Sequence, residues 1–129
     1  MLFRSGARGG SENVAAIAGF AAAFEAALAG QDEESRRLRA LRDDMEAGLR
    51  SAFPDLVVFG ARAQRLPNTS SFALPDISAE TLLMALDLAG IAVSSGSACS
   101  SGKVAPSHVL TAMGVSSELA RGALRVSLG

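Results

Sequence analysis

The first third of the chain carries apolar residues at helical spacing. Between positions 14 and 28 they recur at alternating steps of three and four, which places them on one helix face: Val14, Ile17, Ala21, Phe24 and Leu28. Gly30 stands where a helix-ending glycine is common, so the pattern predicts that this helix ends there. A second helix is expected to follow and to end at Pro54, with an inward face of Leu38, Leu41, Met45, Leu49 and Phe53.

Acidic side chains precede basic ones by four residues on the outer side of the second helix. The pairs are Asp32/Arg36, Glu33/Arg37 and Glu46/Arg50. Each such pair stabilises a helix by only about 0.2–0.5 kcal/mol. We interpret them as a solvated helix face.

The remaining residues alternate short strands with short helices. Strands are predicted at 56–59, 69–74, 91–93 and 124–128, and helices are expected to begin at Ser78, Pro106 and Ser116, the first of them ending at Gly90. In the last strand, a period of two places Leu124, Val126 and Leu128 on the core face and Arg125 and Ser127 on the opposite face. This order predicts a small layered α/β unit.

Residues 94–102 show no hydrophobic periodicity. They comprise five serines, two glycines, one alanine and Cys99, the only cysteine of the chain. Their small apolar area cannot offset the conformational entropy lost when the segment is ordered, and we therefore expect it to be mobile. We also expect the thiol to be exposed and its thiolate form to be stabilised by nearby hydroxyl and amide groups. A buried, inert cysteine is the alternative. It is disfavoured because no large apolar residue lies between Val93 and Val104.

Three other motifs for the same segment fit less well. A phosphate-binding P-loop needs four residues between its two glycines, but five lie between Gly96 and Gly102. It also needs a serine or threonine after its lysine, but Val104 follows Lys103. Ser100 and Lys103 match the S-x-x-K of penicillin-recognising enzymes without the partner motifs. A Cys99–His108 pair lacks a third, orienting group, and His108 is expected to cap or flank its helix.

Composition narrows the function further. The 129 residues carry a net charge of −1 and six aromatic residues, all Phe, which favours neither nucleic acid nor an acidic membrane surface. One cysteine allows no internal disulfide and no cysteine-cluster metal site. Glu25 interrupts the apolar run that begins at Val14, so no membrane span is expected, and no signal peptide precedes it. We therefore expect a cytoplasmic protein.

The cysteine segment and its flanks together resemble one enzyme family. The matching stretches are SGSACSS (95–101), PSHVL with MG (106–114), LRVSLG (124–129), RGGSENV (8–14) and LPNT (66–69). They resemble the C-terminal part of cysteine desulfurases of the NifS/IscS-like branch, members of the class V aminotransferases. The resemblance covers nearly the whole chain, and the cysteine segment is its most specific part.

The resemblance implies a fold and a division of the chain. The fold would be the α/β C-terminal small domain of a fold-type I transferase that depends on pyridoxal phosphate (PLP), a small sheet with packed helices preceded by linking helices. Residues 1–30 would be the end of the large domain and the start of the linking helix. Residues 31–129 would be the small domain that carries the cysteine loop.

The resemblance also implies roles for single residues. Cys99 matches the nucleophile that takes sulfur from L-cysteine as a persulfide and so releases alanine. Arg125 matches the arginine that binds the substrate carboxylate, and Ser11 replaces a threonine whose hydroxyl reaches the cofactor phosphate of the other subunit in a homodimer. Asn13 and Asn68, like Arg8, fit turn or capping positions as well.

A complete enzyme needs more than this chain contains. The family's cofactor-binding lysine belongs to the preceding domain, and Lys103, the only lysine here, follows the nucleophile instead. We therefore expect the chain alone to be inactive, with L-cysteine and a sulfur-acceptor protein as partners of the parent enzyme, for example in iron–sulfur cluster assembly. A stand-alone persulfide carrier, a selenocysteine lyase and an unrelated α/β domain with a surface thiol remain alternatives.

Overall fold

A computed structural model describes residues 13–95 and 107–129 of the chain. Its helices and strands, in chain order, are α1 (Val14–Ala52), β1 (Val57–Val58), β2 (Thr69–Ala73), α2 (Ala79–Leu88), β3 (Ser94–Ser95), α3 (His108–Ala112), α4 (Ser117–Arg121) and β4 (Ala123–Ser127). Short strands separated by helices confirm the predicted α/β class.

A single continuous helix replaces the two helices expected before Pro54. Helix α1 runs through Gly30 without a break, and among residues 13–95 and 107–129 the glycines with a left-handed backbone are Gly60, Gly90 and Gly114. One interior glycine costs a helix only about 1 kcal/mol relative to alanine. The strong helix formers on both sides outweigh that cost, so the predicted end at Gly30 is wrong.

Residues 13–33 form a separate unit from residues 34–129. This first part of α1 exposes its large apolar side chains, with Phe20 73% and Val14 71% accessible. By length and composition alone the helix is apolar enough to cross a membrane. The expectation that Glu25 makes the apolar run too short for a membrane span is therefore wrong. A helix packed inside a larger protein passes the same test, and the property therefore assigns no location.

The four strands form one antiparallel sheet in the order β1-β2-β4-β3. Strand β4 pairs along its whole length with β2, from Thr69 opposite Ser127 to Ala73 opposite Ala123. The predicted strands near β1, β2 and β4 are confirmed, but the third lies at Ser94–Ser95 instead of 91–93. Pairing with β4 sets that position, since residues 91–93 connect α2 to the sheet edge.

Both faces of the sheet are covered by apolar side chains. On one face a core of Leu56, Val58, Phe72, Leu74, Ala79 and Leu124 packs with Leu49 of α1 and with Leu82 and Leu86 of α2. On the other face Phe59, Ala73 and Ala123 pack with Leu110 of α3 and Ala120 of α4. Leu124 is only 1% exposed whereas Arg125 is exposed, which confirms the alternation predicted for the last strand.

A partly buried ion pair joins α1 to the loop before β2. Arg65 donates to both carboxylate oxygens of Glu46, at 2.6 Å to Oε1 and 3.2 Å to Oε2, and Ser70 Oγ donates to Oε1 at 2.7 Å. The predicted solvated pair of Glu46 with Arg50 is therefore wrong. Glu46 precedes Leu49 by three residues, so it lies on the inward face of α1, where only 6% of it is exposed.

The hydrogen bonds at Glu46 decide its ionisation. Burial alone would raise the pKa of this carboxyl, but the hydrogen bonds from Arg65 and Ser70 outweigh it and lower the pKa. The same contact with Glu46 raises the pKa of Arg65. Both groups are therefore charged, and each neutralises the other inside the fold.

Three predicted helix boundaries are confirmed by their caps. Ser78 Oγ accepts a hydrogen bond from the Thr81 amide at 3.2 Å, and Ser116 Oγ accepts one from the Leu119 amide at 3.3 Å. Gly90 follows α2 with a φ of 75°, the left-handed conformation that favours glycine after a helix. These caps fix where α2 and α4 start and where α2 stops.

Gly122 is expected to tolerate no side chain. A Cβ atom at Gly122 would lie 2.7 Å from the Ile77 carbonyl oxygen, whereas one at Gly48, inside α1, meets nothing within 4 Å. We expect Gly122→Ala to lower the free energy of unfolding by about 1–3 kcal/mol. Gly48→Ala, the control, should raise it by about 0.5–1 kcal/mol. Urea denaturation measures both, and equal effects of the two substitutions would contradict the close approach.

Glu46→Gln is expected to destabilise the fold in a pH-dependent way. It leaves Arg65 without a charged partner, which should lower the free energy of unfolding by about 3 kcal/mol near neutral pH. Because the folded pKa of Glu46 is lowered, its contribution is complete above the ordinary value of 4.5 and is lost as the pH falls through the folded pKa.

The measurement is urea denaturation of wild type and variant from pH 7 downwards. The control is Glu34→Gln, which removes an exposed pair with Arg37 and should change little. A difference between wild type and Glu46→Gln that stays constant into strong acid would show that the carboxylate charge is not the stabilising feature.

Candidate functional site

Arg125 lies in the middle of the sheet surface that faces α3. In the register of the sheet it stands opposite Ser71 of β2 on one side and Ser94 of β3 on the other. Its neighbours in β4, Leu124 and Val126, point into the core on the other face. Strand pairing thus places one exposed guanidinium between two serines.

A cleft of about 270 Å³ opens beside Arg125. Its walls are Phe59 and Ser71 from the sheet side and Ser107, Val109 and Met113 from α3 and its start. Ser71 Oγ donates to the carbonyl oxygen of Leu124 at 3.2 Å, which ties β2 to the residue before Arg125. The cleft therefore combines a cation with hydroxyl groups and an apolar wall.

The described residues on either side of the cysteine-bearing segment are close to Arg125, either by sheet pairing or in the cleft lining. Ser95, before the segment, stands opposite Leu124, and Ser107, after it, lines the cleft together with Arg125. Cys99 itself lies outside the described residues, as do Ser11, Lys103 and Arg8. The structure therefore describes the surroundings from which the segment departs and to which it returns.

The other candidate residues have structural roles. Asn13 Oδ1 accepts a hydrogen bond from the Ala16 amide at 3.0 Å, as a helix cap does. The Asn68 side-chain amide donates to the Leu128 carbonyl at 3.2 Å, and the Leu128 amide donates to the Asn68 carbonyl at 2.8 Å. His108 is the first residue of α3, which confirms that it flanks its helix.

The chemistry of the cleft suits recognition of a carboxylate. A guanidinium group offers a planar pair of N–H donors that matches the two oxygens of a carboxylate. Within residues 13–95 and 107–129 there is no lysine to attach a cofactor and no group of three metal-binding side chains. The described part of the chain thus offers an exposed cation, Arg125, that is able to pair with a carboxylate.

Sequence reasoning found Arg125 but missed its two serine neighbours. Ser71 and Ser94 belong to different strands, and only the register of the sheet brings them beside Arg125. A period of two within residues 69–74 would place Ser71 on the face opposite Phe72. The antiparallel pairing of both strands with β4 was the missing information.

The chain was compared with known proteins. The family model described as Aminotransferase class-V matches residues 4–129. The chain is 44% identical over 122 residues to a protein named cysteine desulfurase IscS from Dictyoglomus turgidum, covering 95% of this chain and 31% of that protein. It is 45% identical over 123 residues to cysteine desulfurase NifS of Azotobacter vinelandii, with the same two coverages.

Solved structures give the same family. The X-ray structure of a NifS-like protein from Rickettsia africae matches with a TM-score of 0.76 and 36% sequence identity, over 93% of this chain and 30% of that one. A second structure, of a NifS-like protein, matches with a TM-score of 0.74. The chain therefore spans about a third of the length of the relatives it matches.

Arg125 is expected to be dispensable for folding. Arg125→Ala should change the free energy of unfolding by no more than about 0.5 kcal/mol, because the side chain is exposed. Leu124→Ala, one residue earlier but 1% exposed, should cost about 2–5 kcal/mol. Urea denaturation of the two variants provides the measurement. A large loss in Arg125→Ala would mean that the arginine serves the fold and not a ligand.

Proposed function

Because the chain belongs to the class-V aminotransferase family, we propose that it forms the part of a cysteine desulfurase that carries the sulfur-transferring thiol, Cys99. The observation that supports this most is the course of the chain around Arg125. The segment with Cys99 starts from a strand paired with β4 and ends at Ser107, in the wall of the Arg125 cleft. An amino-acid desulfurase needs a cation that binds the substrate carboxylate and a nucleophile that is able to reach the bound substrate.

The proposed role of Arg125 is to hold the carboxylate of L-cysteine. A paired fork of N–H donors fixes both the position and the orientation of the amino acid. Ser71 and Ser94 flank Arg125 in the sheet, and hydroxyl groups are able to donate to a carboxylate or to its bound water. The central position of β4 in the sheet supplies the rigidity that such binding requires.

The proposed role of Cys99 is nucleophilic attack on the substrate sulfur. As the S–S bond forms, the C–S bond of cysteine breaks and its electron pair passes to the substrate carbon, which takes up a proton. Alanine is the product, and the sulfur remains on Cys99 as a persulfide. A thiolate of an acceptor protein then removes it by attack on the outer sulfur.

Covalent geometry limits how far Cys99 is able to travel. It follows Ser95 by four positions, and an extended chain advances at most about 3.3–3.6 Å per residue. The Cα atom of Cys99 therefore stays within about 14 Å of the Cα atom of Ser95. Because Ser95 neighbours the strand of Arg125, that limit keeps the thiol within reach of a substrate held there.

Class-V aminotransferases generally depend on pyridoxal 5'-phosphate, which supplies the electron withdrawal that labilises bonds of the bound amino acid. In the proposed enzyme this chain contributes substrate binding at Arg125 and a phosphate contact from Ser11 to the site of the other subunit in a homodimer. The attachment lysine would come from outside this chain, whose one lysine, Lys103, follows the nucleophile. We therefore expect no sulfide or alanine when the chain alone is mixed with cofactor and L-cysteine.

The parent enzyme is proposed to act in the cytoplasm. Its substrate would be L-cysteine and its partner a sulfur-acceptor protein, as in iron–sulfur cluster assembly. The relatives named cysteine desulfurase IscS and cysteine desulfurase NifS support L-cysteine as the substrate.

Cys99 is expected to take up one sulfur atom and to release it to a thiol. After incubation of the chain with a low-molecular-weight persulfide donor, intact-protein mass spectrometry should show the added mass of one sulfur atom. Dithiothreitol should remove that mass. Since Cys99 is the only cysteine, Cys99→Ser should show no added mass. Sulfur uptake by the serine variant, or none by the wild type, would contradict the proposed role.

A further inference from the structure

The arginines of this chain are unevenly distributed. Residues 36–65 contain seven of its eleven arginines and only four acidic residues, although the net charge of the whole chain is −1. This part comprises the second half of α1, strand β1 and the loop after it. Three acidic residues, Asp32, Glu33 and Glu34, lie just before this part, and Glu34 pairs with Arg37, so the clustering of its arginines and not a net charge distinguishes it.

Three of these arginines line one cleft. A cavity of about 420 Å³ between α1 and the following loop is bounded by Arg39, Arg42, Ala61, Ala63, Gln64 and Arg65. Neither an aromatic nor an acidic side chain is among them. The lining is thus cationic and polar, with two small apolar side chains.

Two of the arginines are held in place by the fold. Arg42, only 5% exposed, donates to the Leu66 carbonyl at 2.8 Å and to one carboxylate oxygen of Asp43. Arg65 is held by Glu46 through its two Nη atoms. A guanidinium group has five N–H donors, so Arg65, which is 18% exposed, keeps donors for another acceptor, whereas Arg42 is almost fully buried and contributes mainly its charge. Both side chains lose their conformational entropy when the protein folds, so a ligand does not have to order them on binding.

Arg39 supplies charge that the fold does not neutralise. The ion pairs of the described residues use Arg37, Arg42 and Arg65, each with one acidic residue. Arg39 is exposed and takes part in none of these pairs. The cleft therefore presents two fixed guanidinium groups and one uncompensated positive charge.

We propose that this cleft, defined by Arg39, Arg42 and Arg65, binds an acidic segment of a partner protein. Guanidinium groups match carboxylates in a paired geometry, and the cleft is large enough for more than one of them. The lack of aromatic side chains in its lining disfavours single-stranded nucleic acid, which binds by base stacking.

The cleft is separate from the Arg125 site. Its Arg65 is held by Glu46, which contacts Ser70, and Ser70 faces the side of β2 opposite to Ser71. Ser71 lies beside Arg125. A partner bound at the cleft leaves the Arg125 site open, and the proposal stands whether or not the chain belongs to a desulfurase.

An NMR titration of the full chain with hexaglutamate tests the proposal. We expect shifts of the arginine side-chain signals at Arg39, Arg42 and Arg65, and weaker binding as salt is added. Arg39→Gln should weaken binding roughly three- to five-fold, the effect of losing one exposed charge pair. Arg39→Lys, which keeps the charge but not the fork, should weaken it less.

The control variant is Arg121→Gln, which removes an exposed arginine from α4 with the same change of net charge. Equal weakening by Arg39→Gln and Arg121→Gln would overturn the site, because binding would then depend on net charge alone. Binding of hexaglutamine as tight as that of hexaglutamate would also overturn it. Tighter binding of an oligonucleotide or inorganic phosphate at the same arginines would overturn the assignment to an acidic protein.

Discussion

The structure depends on the pairing of the last strand with β2 and β3. Strand β4 lies between them, and five residue pairs join it to β2. That pairing buries Leu124 on one face and leaves Arg125 exposed on the other. It also fixes the point from which the cysteine-bearing segment leaves the sheet, since Ser95 is paired with β4. The same strand pairing therefore determines both the sheet and the residues that surround Arg125.

The Glu46 network connects α1 to this sheet. Glu46 accepts from Ser70 of β2, the residue before Ser71 in the cleft wall, and from Arg65 in the loop that leads to β2. A helix, a loop and a central strand are thereby joined through one carboxylate. The same network fixes one wall of the arginine cleft, so two surfaces of the molecule share a buried support.

Local chemistry made several elements predictable from the sequence. Ser78 and Ser116 have side-chain oxygens that cap helices, Gly90 adopts the left-handed backbone after α2, and the alternation at Leu124 and Arg125 matches a half-buried strand. These features depend on residues close together in the chain. Arg125 was identified in the sequence for the same reason, from its position in a patterned strand within a recognisable motif.

Two of the incorrect predictions concern features that depend on residues far apart in the chain. Glu46 looked like one half of a surface pair with Arg50 because its partners, Arg65 and Ser70, are 19 and 24 residues away. Strand β3 was misplaced because its position follows from β4, some thirty residues later. The position of Gly30 after an apolar helix face predicts a helix end, but that pattern ignores the strong helix formers on both sides of Gly30, which continue the helix. The proposed roles of Cys99 and Ser11 come from the family resemblance, and the local composition of residues 94–102 indicates only that the Cys99 thiol is exposed.

We propose that the thiol of Cys99 reaches the Arg125 cleft. Since the chain has a single cysteine, a nitroxide spin label attached to it reports its surroundings without any substitution. Our account predicts that NMR signals of the Ser71, Arg125 and Val109 amides broaden strongly, while those of Glu46 and Gly48 on α1 broaden little. Stronger broadening on α1 than around Arg125, or equal broadening at both, would contradict it.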